Sequence, residues 1–233
     1  MPTVLWAREH EIVDGISAHH RNPLFLGDVD LPATLDSTGD LTEALTRAEI
    51  VISAVPTQHI RSVFADQAPL LSQASVVVTV SKGIEAETLQ TPHQILSDLG
   101  VPEDRLVALS GPSFAREVAA QYPTAVVAAG RDRQRTIEAR DLFSTNRFRV
   151  YSSDDVISVE LGGALKNVVA IAAGVAHGLS LGHNTHAAIV TRGLAEITRL
   201  GAAQGGDPLT FAGLSGIGDL VLTCTGDLSR NRS

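Results

Sequence analysis

Between residues 3 and 151, short apolar runs alternate with stretches whose apolar positions recur at helical spacing. The runs at 3–6, 34–37, 49–56, 75–81, 105–109, 124–129 and 148–151 predict strands. Residues 9–19, 58–71, 85–99 and 133–143 predict helices, the third interrupted by Pro92. Another helix is expected from Ser113, after a turn at Gly111-Pro112. Residues 22–32 carry Pro23, Gly27 and Pro32 and read as loop. Asp40, with Glu43 three residues on, has the capping-box pattern of a helix start. Strands alternating with helices imply a mainly parallel sheet with helices on its faces. The pattern changes after Ser153. Asp154 or Asp155 can cap a long apolar helix, and no clear strand follows. The chain therefore divides near residue 155, into an α/β unit (1–155) and an all-helical unit (156–233).

The helix that opens the second unit contains Leu161-Gly162-Gly163-Ala164-Leu165-Lys166-Asn167 and runs on through Gly174. It is apolar nearly all round, which marks a buried helix. A lysine set in such a surface either finds an anion or loses its proton, because desolvation disfavours the ammonium. It then serves as a proton-transfer group or as an anchor for an anionic ligand. The bland reading is a stem that snorkels to water. Gly162 and Gly163 weaken the helix, so another backbone or a ligand is expected to approach that turn.

Composition favours the functional reading. Lysine and arginine total 18, yet only Lys82 and Lys166 are lysines. Arginine carries the ordinary surface charge, and Lys82 follows an apolar run just before Gly83. A net charge of −8 argues against a nucleic-acid surface. One cysteine, Cys224, permits no internal disulfide and fits a reducing, cytoplasmic setting. Its simplest role is a small buried hydrophobe. The charges at Arg8, Glu9 and Glu11 break any leader-like run, and no membrane span is expected. His177, His183 and His186 lack a standard ligand spacing, so no metal site is expected either.

In open α/β sheets, ligands bind beyond the carboxyl ends of the strands. Those ends are Arg8, Pro56, Lys82 and Gly111, which Lys166 would have to face. A doubly wound nucleotide domain normally opens with a strand, a glycine-rich turn and a helix. No such unit precedes Thr3, and Gly213, Gly216 and Gly218 read as loop and packing glycines.

Four motifs stand in order: Val80-Ser81-Lys82-Gly83; Ser110-Gly111-Pro112-Ser113-Phe114-Ala115-Arg116-Glu117; Gly162-Gly163-Ala164-Leu165-Lys166-Asn167; and Gly218-Asp219-Leu220 with Ser229-Arg230-Asn231-Arg232. Together they resemble bacterial-type NAD(P)-dependent glycerol-3-phosphate dehydrogenases, along essentially the whole chain. Trp6-Ala7-Arg8 and Thr191-Arg192-Gly193 extend the likeness. The family's first strand with its glycine-rich turn, and a later part of its helical domain, have no counterpart. The chain is thus expected to be an internal piece that binds dinucleotide weakly.

The resemblance implies a Rossmann-like doubly wound parallel sheet followed by an incomplete all-α domain. It implies hydride transfer between NAD or NADP and C2 of dihydroxyacetone phosphate or sn-glycerol 3-phosphate, supplying phospholipid synthesis. Lys166 matches the family's proton acceptor. Lys82, Gly111, Ser113, Lys166, Asp219, Ser229, Arg230 and Asn231 match substrate contacts. Arg8, Lys82, Ala115 and Arg230 match cofactor contacts. Taken singly, Asp219 reads as a turn or cap residue, Arg230 as surface charge and Ser113 as a helix cap. Arg8 in the place of an acidic side chain predicts that NADPH serves at least as well as NADH. The partner expected is a small phosphorylated molecule, with no nucleic acid, and a homodimer is the assembly considered. A related 2- or 3-hydroxyacid dehydrogenase is the second reading, disfavoured by the Arg230-Asn231 phosphate clamp. A non-catalytic binding or assembly module is the third.

Overall fold

The computed structural model describes residues 2–226. The chain opens with β1 (Thr3–Trp6), α1 (His10–His19) and β2 (Leu35–Thr38). It continues through α2 (Leu41–Leu45), β3 (Ile50–Ser53), α3 (Thr57–Phe64), α4 (Ala68–Leu71) and β4 (Val76–Thr79). Next come α5 (Pro92–Asp98), β5 (Leu106–Ser110), α6 (Ala115–Ala119), β6 (Thr124–Gly130), α7 (Arg133–Phe143) and β7 (Phe148–Ser153). Among the described residues the remainder is helical: α8 (Val156–Gly178), α9 (Gly182–Ala203), α10 (Pro208–Phe211) and α11 (Asp219–Thr225).

The strands form two sheets where the sequence pattern predicts one. β1 and β2 pair in parallel, with Thr3 opposite Leu35 and Trp6 opposite Thr38. β3 to β7 form a five-stranded sheet in sequential order. All its pairs are parallel except β5 with β6. Strand alternation distributes the side chains of β4. Val77 joins Ile60, Phe64, Leu71, Ile95 and Leu96 of α3 to α5 on one face. Val76 and Val78 join Val107, Val126 and Ala139 of α7 on the other. A strand covered on both faces reads as a continuous apolar run, as Val76-Val77-Val78 does.

Helix α8 joins the two halves. Asp155 caps it by accepting the Ser158 amide at 3.0 Å. Val156 and Val159 pack on Ala108 of β5 and Ala129 of β6. Further along, Leu161, Val169, Ala170 and Ala173 share a core with Ile197, Phe211, Leu220 and Cys224 of the other helices. Cys224 is fully buried there, and burial pushes its thiol up. The stretches Val156–Gly178 and Pro208–Thr225 are long and apolar enough to cross a membrane. Two-thirds of the most apolar window of α8 is nevertheless buried inside this protein, as befits a core helix.

Several local expectations change. The helix predicted over 85–99 begins only at Pro92, which takes the first-turn position where proline is favoured. Residues 58–71 split into α3, a 3₁₀ turn and α4, because Pro69 cannot donate the amide that continuity needs. Asp40 caps α2 as expected, accepting from Thr42 and Glu43. Glu43, however, accepts from the Thr38 hydroxyl instead of closing a capping box. Ser113 precedes α6, whose cap position is Phe114. Leu214–Gly218, read as loop, is a π-helical turn leading into α11.

Candidate active site

Two lysines from different halves of the chain meet on one carboxylate. Lys82 follows β4 by three residues, and the Ser81 hydroxyl beside it donates to the Val55 carbonyl at 2.6 Å. Lys82 Nζ donates to the Gly111 carbonyl at 3.0 Å, beyond the end of β5, and to Asp219 Oδ2 at 2.6 Å. Lys166 Nζ, on α8, donates to Asp219 Oδ1 at 2.5 Å. Asp219 is 1% exposed and opens α11, and both of its oxygens accept from largely enclosed ammonium groups. It follows the π-helical turn, and its side chain serves the ionic cluster. The site holds two cations against one anion, a surplus suited to a phosphorylated ligand.

Gly162 and Gly163 let α8 come this close. A Cβ on Gly162 would lie 2.5 Å from the Ser215 carbonyl oxygen. One on Gly163 would lie 2.7 Å from Ser110 Oγ and 3.4 Å from Lys82 Cδ. The helix propensity given up at this turn is offset by contact with both the π-helical turn and the lysine-bearing segment.

Burial, and then the neighbouring Lys82, lower the pKa of Lys166 to about 8, while Asp219 opposes the shift. Each cause acts on the ammonium: desolvation and like charge disfavour it, and the carboxylate favours it. At neutral pH the group is mostly protonated yet within reach of deprotonation, as a general acid–base requires.

The remaining expected residues are placed as follows. The Gly111 carbonyl also accepts from Ser113 Oγ at 3.2 Å, so Gly111, Ser113, Lys82, Asp219 and Lys166 form one connected cluster. Gly111 has φ +142°, a backbone that side-chain-bearing residues rarely adopt. Ala115 is the first residue of α6, and its neighbour Arg116 pairs with Asp28 at 3.3 Å. Arg8 follows β1 but joins none of these bonds. Its guanidinium pairs with Glu9 at 2.9 Å with the arginine side chain 79% exposed. Ser229, Arg230 and Asn231 lie outside the described residues. Among the described residues no group of three His, Cys, Asp or Glu side chains could hold a metal ion.

Sequence reasoning missed Glu160. It lies on the same apolar helix as Lys166, 7% exposed, and its carboxyl is pushed up to about 7 by burial. The signal was available, since a lone acid in an apolar helix invites the same question as a lone lysine. The buried hydroxyls of Ser53, Thr57 and Ser110 were also missed. They lie at the end of β3, the start of α3 and the end of β5, and have no hydrogen-bond partner. Thr57 packs against Gly83 and Ser110 against Gly163, so these hydroxyls stand at the close backbone approaches around the lysines.

Comparison with known proteins is decisive for the family. The sequence profile described as NAD-dependent glycerol-3-phosphate dehydrogenase N-terminus matches residues 1–136. The corresponding C-terminus profile matches residues 155–233. The chain belongs to the NAD-dependent glycerol-3-phosphate dehydrogenase family.

Glycerol-3-phosphate dehydrogenase (NAD(P)+) of Geobacter metallireducens is 52% identical over all of this chain and 70% of its own length. The protein of the same name from Koribacter versatilis is 53% identical, over 98% of this chain and 68% of its own. The crystal structure of glycerol-3-phosphate dehydrogenase from Coxiella burnetii superposes with a TM-score of 0.92 at 39% identity. It covers 98% of this chain and 70% of that one. A dehydrogenase of this family uses NAD or NADP on a Rossmann-like domain, and the fold described above is of that kind.

Proposed function

We propose that the two lysines on Asp219 are the working centre of this dehydrogenase. Lys166 moves the proton, and Lys82 with Asp219 orients the substrate. The chain then interconverts dihydroxyacetone phosphate and sn-glycerol 3-phosphate, with residues 1–155 serving the dinucleotide and 156–233 the substrate. The observation that carries this reading is the sharing of one buried carboxylate by Lys82 and Lys166, at 2.6 and 2.5 Å.

When bound, the nicotinamide supplies or takes up the hydride at substrate C2. In the reductive direction Lys166 Nζ gives a proton to the carbonyl oxygen as C2 accepts the hydride, which leaves the alcohol. In the oxidative direction the neutral amine takes that proton back. A lysine brought down to about 8 serves both directions near neutral pH. Lys82 stays at the carboxyl end of β4, where Gly111 and Asp219 hold it, and presents positive charge to substrate and cofactor together. Gly111 and Ser113 contribute backbone and hydroxyl groups on the same side. Arg230 and Asn231, with Ser229, clamp the phosphate, because a guanidinium forks onto two phosphate oxygens. Arg8 and Ala115 take the cofactor side.

The buried, unpaired Cys224 supports a cytoplasmic setting, and the alcohol product has the chemistry of a phospholipid backbone precursor. Val168, Ile171 and Val175 along α8, and Leu179 just after it, stand more than half exposed, which supports an apolar homodimer face. The test is cofactor oxidation by the purified chain with dihydroxyacetone phosphate and NADH or NADPH, beside Lys166→Ala. Substrate-dependent oxidation that Lys166→Ala abolishes is expected; equal rates in both proteins would refute the assignment.

A further inference from the structure

Glu160 is a buried ionisable group that proton transfer at Lys166 does not use. It precedes Lys166 by six residues on α8, and it faces the α/β half. The Thr91 hydroxyl donates to its Oε2, and the His93 backbone N–H donates to its Oε1 at 2.9 Å. These donors are the cap and first turn of α5, and their two hydrogen bonds favour the carboxylate against the burial that raises its pKa to about 7. The His93 ring itself is neutral, since burial lowers its pKa to about 4. The grip is therefore on hydroxyl and backbone, not on a second charge.

The place of that grip matters. Pro92, His93, Ile95 and Leu96 of α5 are buried, so the anchor is rigid. The segment that ends at Thr91 begins at Lys82. Its early part is tied to α3: Gln58 Nε2 donates to the Ile84 carbonyl at 2.7 Å, and the Ala86 N–H donates to Gln58 Oε1 at 3.0 Å. Arg61 of α3 pairs with Glu85 at 3.1 Å. Ile84 packs against the helical core to which α8 contributes Leu161, Val169, Ala170 and Ala173. The segment is thus held by α3 near its start and by Glu160 at its end, and Glu160 shares its helix with Lys166.

We propose that Glu160 is a positioning residue: by holding Thr91 and His93 it sets α8 against the Lys82 segment and so keeps both ammonium groups on Asp219. This rests on the reading of Lys82 and Lys166 as the working pair. Its signature differs in sign from a charge effect. Removing a nearby negative charge would make the Lys166 ammonium harder to form and lower its pKa. Loosening the contact would admit water and part the two lysines, which raises it.

The chain contains two lysines, so protein made with ¹³C-labelled lysine shows two side-chain titrations by NMR, and Lys82→Arg assigns them. The measurement needs neither cofactor nor turnover. In the unaltered chain Lys166 titrates near 8. In Glu160→Gln, which keeps an acceptor for His93 and a partner for Thr91, that value is retained. In Glu160→Ala it rises by about one unit or more toward the ordinary value. If Glu160→Ala does not fold, Thr91→Val removes one of the two bonds and gives a smaller rise of the same sign. A folded Glu160→Ala, or failing that Thr91→Val, with Lys166 titrating at or below the unaltered value overturns the inference. A Lys166 that titrates near 10.5 in the unaltered chain strikes the reading of the pair itself, and this inference with it.

Discussion

The Arg8–Glu9 pair and the cluster of Lys82, Lys166 and Asp219 both stand near strand ends, and they differ in almost everything but their chemistry. Arg8 and Glu9, just after β1, are neighbours in sequence and lie in water. Lys82, Lys166 and Asp219 come from β4's exit, α8 and α11, and Asp219 is 1% exposed. An exposed pair is screened and contributes only about 0–1 kcal/mol. The trio around buried Asp219 holds a lysine whose pKa burial lowers to about 8. The difference teaches that an ion pair becomes chemically useful through what surrounds it. Asp219 keeps two ammonium groups together, and the shortage of water around them makes one willing to give up its proton.

The sharpest break in this comparison is Lys166→Ala in the active enzyme. Loss of a positioned acid–base lowers turnover by about 10²–10⁴-fold, with dinucleotide affinity retained. Rapid-mixing measurement of hydride transfer checks this, and a normal rate would show that Lys166 moves no proton. Next comes Asp219→Ala. Removing one partner of a buried ionic cluster costs about 3–5 kcal/mol, read as a lower midpoint in urea unfolding. A change within experimental error would mean that water already screens the trio.

The pH profile tests the comparison more finely. Reduction needs the ammonium, so its kcat falls about tenfold per pH unit above about 8. Oxidation needs the amine, so its kcat falls by the same factor per unit below about 8. Two limbs bending the same way would contradict a single lysine serving both directions. Arg8→Ala has the smallest expected effect. Stability changes by less than about 1 kcal/mol, while the ratio of kcat/KM for NADPH over NADH drops. An unchanged ratio would leave Arg8 as a surface charge paired with Glu9.

Much of the site was legible because few alternatives fit the residues. A lysine in an apolar helix beside two glycines demands both a close neighbour and an anion, and the structure supplies Ser215, Ser110 and Asp219. The Val76-Val77-Val78 run declared a strand covered on both faces. Other features depend on contacts distant in sequence. The start of α5 was obscured because residues 85–91 have helical spacing, yet Gln58, Arg61 and Glu160 hold that segment from α3 and α8. Glu43 could have closed a capping box, but the Thr38 hydroxyl lay within reach. The division into two sheets likewise follows from which strand edges meet in space, and no periodicity along β1 or β3 encodes that.

The scarcity of lysine also shapes the outer chemistry of the molecule. All other basic side chains except histidine are arginines, which acylating reagents leave alone. The two side-chain amines are mostly enclosed, and burial with the nearby Lys82 lowers the pKa of Lys166 to about 8. An activated ester or a reductive alkylating agent therefore meets few decoys on this surface. Apart from the terminal amine, such a reagent reports on Lys82 and Lys166 alone. Attachment through amines to a bead or a dye would go through the terminal amine or through the cluster of Lys82, Lys166 and Asp219.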